Sequence, residues 1–214
     1  GGGCGVGVRF VWGRTGRLGA LAAAPGAYRL FMGPTGVLMP YLVREVLPGT
    51  ATDLGIILGA GGVGAIAAAL MVGKVGLPRR QLTFMYVCWT LAAVAVAGFG
   101  LATAGWQLMI FSLVINGLEA AGTVAWATTK QRLVPAEMLG RVSSLDWFIS
   151  IAGLPVSFAL TAPVAALIGA QGTFIAASVL CAAVTLGALF LPHMRDADGA
   201  LTAARQPTMQ GEAV

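Results

Sequence analysis

KQRLVPAEMLGRVSS, residues Lys130 to Ser144, is a sharply charged hinge between two long apolar runs. Upstream lies Trp106 to Thr129, whose only ionisable residue is Glu119; downstream lies Trp147 to Ile168, which has none. About 20 apolar residues rising roughly 1.5 Å each cross a hydrocarbon core of about 30 Å. Each run is long enough to do so, which puts the hinge in water at one membrane face. The rest of the chain repeats the pattern of apolar spans joined by short polar turns.

Composition points the same way. Of 214 residues, 57% are hydrophobic and 10% charged, with a mean hydropathy of +0.85. Soluble domains carry about 25% charged residues, and so few polar groups could not cover this much apolar surface in water. A bilayer removes that need. The net charge of +5 could suggest nucleic acid, but a nucleic-acid binder gathers Lys and Arg on one water-facing surface. Here they sit in short loops between spans, the topology signal of a membrane protein. Cys4, Cys88 and Cys181 are scattered, with neither metal-ligand nor disulfide spacing. No cofactor or metal is expected.

Six spans follow in order: residues 18–43, 54–73, 82–104, 106–129, 147–168 and 173–192. The expected fold is therefore an all-α membrane protein. Residues 1–17 carry Arg9, Arg14 and Arg17 among Phe10, Val11 and Trp12, a basic aromatic segment suited to the interface or to a basic arm. The first span is interrupted by Pro25, Pro34 and Pro40, which predicts a kink. In the second, Gly55 and Gly59 form a GxxxG pair that would let another helix approach closely. Residues 193–214 read as a polar tail.

The basic residues fix the orientation. Arg9, Arg14 and Arg17, then Lys74, Arg79 and Arg80, then Lys130, Arg132 and Arg141, then Arg195 and Arg205 fall on one side, 3 + 3 + 3 + 2, or eleven of thirteen. The positive-inside rule assigns that side, with both termini, to the cytoplasm. The expected location is the cell membrane, with the lipid bilayer as partner.

With the segments in this order, the chain resembles the C-terminal half, helices seven to twelve, of a major facilitator superfamily transporter, of the bacterial macrolide-efflux and enterobactin-exporter type. RLVPAEMLGRVSSLD carries the likeness best, with Arg132, Pro135, Glu137, Gly140, Arg141 and Ser144 standing as in that family's loop between its tenth and eleventh helices. RFVWGRTGRLGAL is similar to the central loop, and LPVSFALTAPVAALIG to the eleventh helix. Residues 73–80 resemble the superfamily's basic loop motif, keeping Gly73, Arg79 and Arg80 without its acidic residue. The resemblance implies half of a twelve-helix fold with its substrate path between two halves. It also implies proton-coupled export of a drug-like or siderophore-like small molecule. The missing N-terminal half, the absent initiator Met and the central-loop start lead us to expect a fragment. A non-transporting remnant or scaffold is the rival reading.

Glu119 is the sharpest candidate for chemistry, since a mid-membrane carboxylate is costly and marks proton or substrate handling. At about 100° per residue Asn116, Glu119, Thr123, Trp126 and Lys130 fall in one stripe. Such a face could bind a cation through Glu119 and Trp126, exchange a proton, or serve only as packing glue. Arg29 and Glu119 each lie 11 residues from the cytoplasmic end of their spans, a depth of roughly 16 Å, so they can pair; Arg29 could instead snorkel. Asp146, Ser150, Gly153, Ser157 and Thr161 make a second polar stripe, with Asp146 expected as a cap or as partner of a loop Arg. Arg132, Glu137 and Arg141 could form a gating charge network at the cytoplasmic face, or stand solvated. The sole histidine, His193, follows the last span, so no buried Ser and His pair can be assembled. An enzyme is not expected.

Overall fold

The computed structural model describes residue 26 and residues 28–189, so the N-terminal basic segment, Pro25, the start of the first span, the end of the last and the polar tail lie outside the described residues. Among the described residues the protein is all-helical, with no strand. Four helices are long and apolar enough to cross a membrane.

The first span enters as helical residues 26 and 28–31, bends at Met32, and continues as α1, Gly33–Tyr41. Pro34 sits in the first turn of α1, where its missing N–H costs nothing. Pro40 lies inside α1, and a π-helical stretch, Leu42–Val46, follows at once. The predicted kink is thus a bend beside Pro34 and a widened turn after Pro40.

α2, Ala51–Val75, opens with a capping box. Thr50 Oγ1 accepts from the Asp53 amide at 3.3 Å, and Asp53 Oδ2 accepts from the Thr50 amide at 2.7 Å, which satisfies two helix-end donors reciprocally. Gly76 ends the helix at φ 81°, a conformation that glycine takes without a Cβ penalty. Gly73 is therefore a helical residue, and the loop with Arg79 and Arg80 is confined to residues 76–80. α3, Gln81–Leu101, and α4, Gly105–Leu133, follow. Gln107 Oε1 caps α4 by accepting from the amides of Thr103 and Ala104 at 2.7 and 3.3 Å.

The hinge that organises the sequence proves narrow. Only Val134 and Pro135 separate α4 from the next helix, because the charged residues on either side continue the helical turns. Ala136–Leu189 then comprises two helices that meet at the non-helical Gly169, at φ 77° and ψ 166°. We call the arm 136–168 α5 and the arm 170–189 α6. The fifth and sixth apolar stretches of the sequence lie in these two arms.

α3 is the centre of the packing. It is 56% buried across its apolar window, against 17% for α2. Phe99 meets Phe111 of α4 and Phe174 of α6 edge to face at 6.4 and 5.7 Å, joining three helices around one ring. Toward the other end Trp89 stacks on Tyr28 at 5.4 Å. Polar contacts between α3 and α6 are few and local: Ser178 donates to the Ala93 carbonyl at 2.7 Å, and Thr90 donates to Thr185 at 3.0 Å.

Glycine controls the approach of α2 to α4, though not at the predicted positions. Gly55 and Gly59 face open space, with nothing within 4 Å of a Cβ built there. A Cβ on Gly61 would stand 2.6 Å from Asn116 Nδ2, and one on Gly64 would collide with the Leu113 carbonyl. The spacing of glycines advertises a close contact, but which face makes it depends on where α4 lies.

Two substitutions separate these roles. Gly64→Ala is expected to destabilise the bundle by about 1–3 kcal/mol through overpacking, measured by unfolding in mixed micelles. Gly59→Ala, free of any neighbour, is expected to be neutral or to gain up to about 1 kcal/mol in helix propensity.

Candidate functional site: a charged cavity within the bundle

The fifth-span stripe is a packing seam at one end and a charged wall at the other. Asp146, Ser150, Ser157 and Thr161 are all buried. The seam carries the first helical segment: Gly33 sits against Ser157, and a Cβ on Gly153 would stand 3.7 Å from Leu30. Small residues on both sides bring the backbones together, and this close approach carries Tyr28 and Arg29 over the start of α5.

There α3, α4, α5 and residues 28–29 line a partly open cavity of about 140 Å³. Glu119, Thr123, Trp126 and Lys130 line it from α4, Asp146, Trp147 and Ser150 from α5, and Trp89 from α3. Two ion pairs cross it. Lys130 Nζ lies 2.5 Å from Asp146 Oδ2, with side chains 13% and 8% exposed. Arg29 Nη2 lies 4.0 Å from Glu119 Oε1, with both side chains 32% exposed.

Each cation also faces an indole. Lys130 Nζ stands 5.4 Å from the Trp126 ring centroid, and Arg29 Cζ stands 5.6 Å from that of Trp147, within cation–π range. Trp126 Nε1 donates to Asp146 Oδ2 at 3.0 Å, so this oxygen receives both Lys130 and Trp126. The cavity therefore holds two carboxylate–cation–indole units, one short and buried, the other longer and more exposed.

This arrangement changes what the α4 stripe can do. Glu119 and Trp126 are each engaged by a basic side chain of the protein itself, so an external cation would have to displace Arg29 or Lys130. Proton exchange needs no such displacement. A proton on Glu119 would leave Arg29 without its counter-charge and free to move.

Three buried side-chain atoms have no hydrogen-bond partner among the described residues, Tyr28 Oη, Trp89 Nε1 and Asp146 Oδ1. All three belong to residues lining this one cavity. Trp89 Nε1 is covered by Gly122, where a Cβ would approach it to 2.5 Å.

Other expected site residues are placed elsewhere. Asn116 does not reach the cavity; its Nδ2 donates to the Ser112 carbonyl at 2.9 Å, and α2 covers it at Gly61. Asp146 is paired with Lys130, neither a helix cap nor the partner of a loop Arg. The charge network of Arg132, Glu137 and Arg141 is not formed: all three are exposed, and among the described residues the ion pairs are Arg29–Glu119, Arg44–Glu45 and Lys130–Asp146. Pro135 and Gly140 are exposed beside them, as are Gly73, Arg79 and Arg80 at the neighbouring turn. Tyr28, Trp89 and Trp147 are the lining residues that the sequence did not single out. Among the described residues no group of His, Cys, Asp and Glu could hold a metal ion.

No family model, curated protein or solved structure matches the chain. The likeness to major facilitator transporters therefore rests on its motif residues alone.

The two ion pairs should differ in energetic weight. Lys130→Ala or Asp146→Ala alone leaves a buried unpaired charge and is expected to cost about 3–5 kcal/mol, with the double variant costing less than the sum. Arg29→Ala should cost clearly less, because its longer and more exposed pair is better screened. Unfolding of the four proteins in mixed micelles measures the order.

Proposed function

We propose that this protein is the C-terminal, six-span half of a major facilitator superfamily secondary transporter in the cell membrane, exporting a drug-like or siderophore-like small molecule in exchange for protons. The observation that carries this reading is the tryptophan-lined, doubly ion-paired cavity inside an otherwise apolar bundle. Ionisable groups at such depth are costly to keep, and their usual use is on a proton or substrate path.

The faces that the helices leave uncovered support the expectation of a second half. α2 exposes Ile56, Val63, Ile66 and Leu70 together with the open glycines, and α5 exposes Phe148, Val156 and Leu160. Lipid alone could cover the large side chains, whereas glycines suit a closely packed helix. On this reading the N-terminal six helices dock there, both termini are cytoplasmic, and the cavity opens alternately as the halves rock. Glu119 is the proton site, Arg29 the counter-charge over Trp147 that is released from Glu119 when Glu119 is protonated, and Thr123 the polar wall between them.

Everted membrane vesicles from cells expressing the complete reading frame test the proposal. Glu119→Gln is expected to abolish proton-driven flux of a panel of lipophilic compounds while leaving the amount of protein in the membrane unchanged. Undiminished flux would remove Glu119 from the coupling path. Absence of any flux in the native protein would favour the scaffold reading.

A further inference from the structure

The charged residues that lie outside the cavity are distributed very unevenly between the two ends of the bundle. Contacts of Gly61 with Ser112 and Asn116, and of Gly64 with Leu113 and Gly117, show that α2 and α4 run in the same direction. The C-terminal ends of both helices therefore share one end of the bundle, and the Thr129–Gln81 hydrogen bond of 3.3 Å brings the start of α3 there too. This end carries the 76–80 loop and the Val134–Pro135 turn. Among the described residues Lys74, Arg79, Arg80, Arg132 and Arg141 stand there exposed, with Glu137 the one carboxylate outside the cavity, 5 − 1 = +4. The opposite end holds Arg44, Glu45 and Asp53, 1 − 2 = −1, with Arg44 and Glu45 paired at 3.8 Å.

None of the five cations forms an ion pair among the described residues. Arg79 and Arg80 lie in the five-residue loop 76–80, and Lys74, Arg132 and Arg141 stand on helices within two turns of their ends beside the two short connections, so none reaches far from the membrane surface. Unpaired cations held at headgroup depth meet lipid phosphates before they meet any soluble polyanion. Guanidinium groups are also suited to bidentate contacts with phosphate oxygens.

We propose that this basic end is a binding surface for anionic phospholipid headgroups, with Arg79 and Arg80 in the 76–80 loop and Arg132 and Arg141 on the helices either side of the Val134–Pro135 turn as its contacts. The surface is separate from the cavity, and the proposal stands whether or not the protein transports anything.

The full chain is purified in detergent, offered equal amounts of phosphatidylglycerol and phosphatidylcholine, and the retained lipid is counted by native mass spectrometry. Phosphatidylglycerol is expected to be retained preferentially. The preference should fall about fivefold for each cation removed in R79Q/R80Q and in R132Q/R141Q, stay unchanged in R44Q, and weaken in the wild type as salt is raised. Equal retention of the two lipids by the wild type would overturn the proposal, as would a preference that survives both double variants. Thermal protection by inorganic phosphate equal to that by phosphatidylglycerol would assign the cations to a free anion and overturn the membrane as their partner.

Discussion

The contact on which the rest of the site depends is the one between Lys130 and Asp146. It joins the last turns of α4 to the first turns of α5 across a two-residue connection, and both groups are almost wholly removed from solvent. A charge buried in this way is tolerated only with a partner of good geometry. Because Lys130 and Trp126 both bond one oxygen of Asp146, the relative rotation of the two helices is set within narrow bounds. That rotation turns Glu119 and Trp147 toward the same space, and the small residues of α5 then admit the first helical segment with Arg29.

The two ends of the bundle are consequently held by different physics. Around Phe99 the packing is apolar and edge-on, with rings from three helices and no buried charge. Around Trp89 it is mixed: a stacked Tyr28, two ion pairs and three polar atoms without a protein partner among the described residues. The first end has nothing to gain from opening to water, whereas the second does.

Much of this was legible in the sequence where length and cost decide. Apolar runs of span length had to be helices; the second, third and fourth lie within a few residues of α2, α3 and α4, whereas α5 begins at Ala136, well before the fifth run at Trp147. Equal depth brought Arg29 and Glu119 together as candidates for pairing because rise per residue is fixed. Orientation around a helix axis was harder to read. The open glycines at Gly55 and Gly59 and the contacting ones at Gly61 and Gly64 lie on one apolar helix whose hydrophobicity shows no face. Asn116 belongs to the polar stripe by angle, yet it turns back to the Ser112 carbonyl and packs against Gly61 of α2, outside the cavity. Tyr28, Trp89 and Trp147 look like ordinary apolar-span aromatics, and only the neighbours supplied by other helices give them a polar role. Asp146 was read with the charged loop because it stands near it in sequence, whereas helix packing turns it inward.

The measurement that bears most directly on this account is water access to Thr123, which is exposed on the cavity wall between Glu119 and Trp126. In a background with the native cysteines replaced by alanine, Thr123→Cys is reacted in intact membranes with a small charged thiol reagent, alongside Val63→Cys on the apolar face of α2. The account predicts that Cys at position 123 is labelled and that Cys at position 63 is not. Labelling at neither position, or at 63 but not 123, would contradict a polar cavity inside a membrane-spanning bundle.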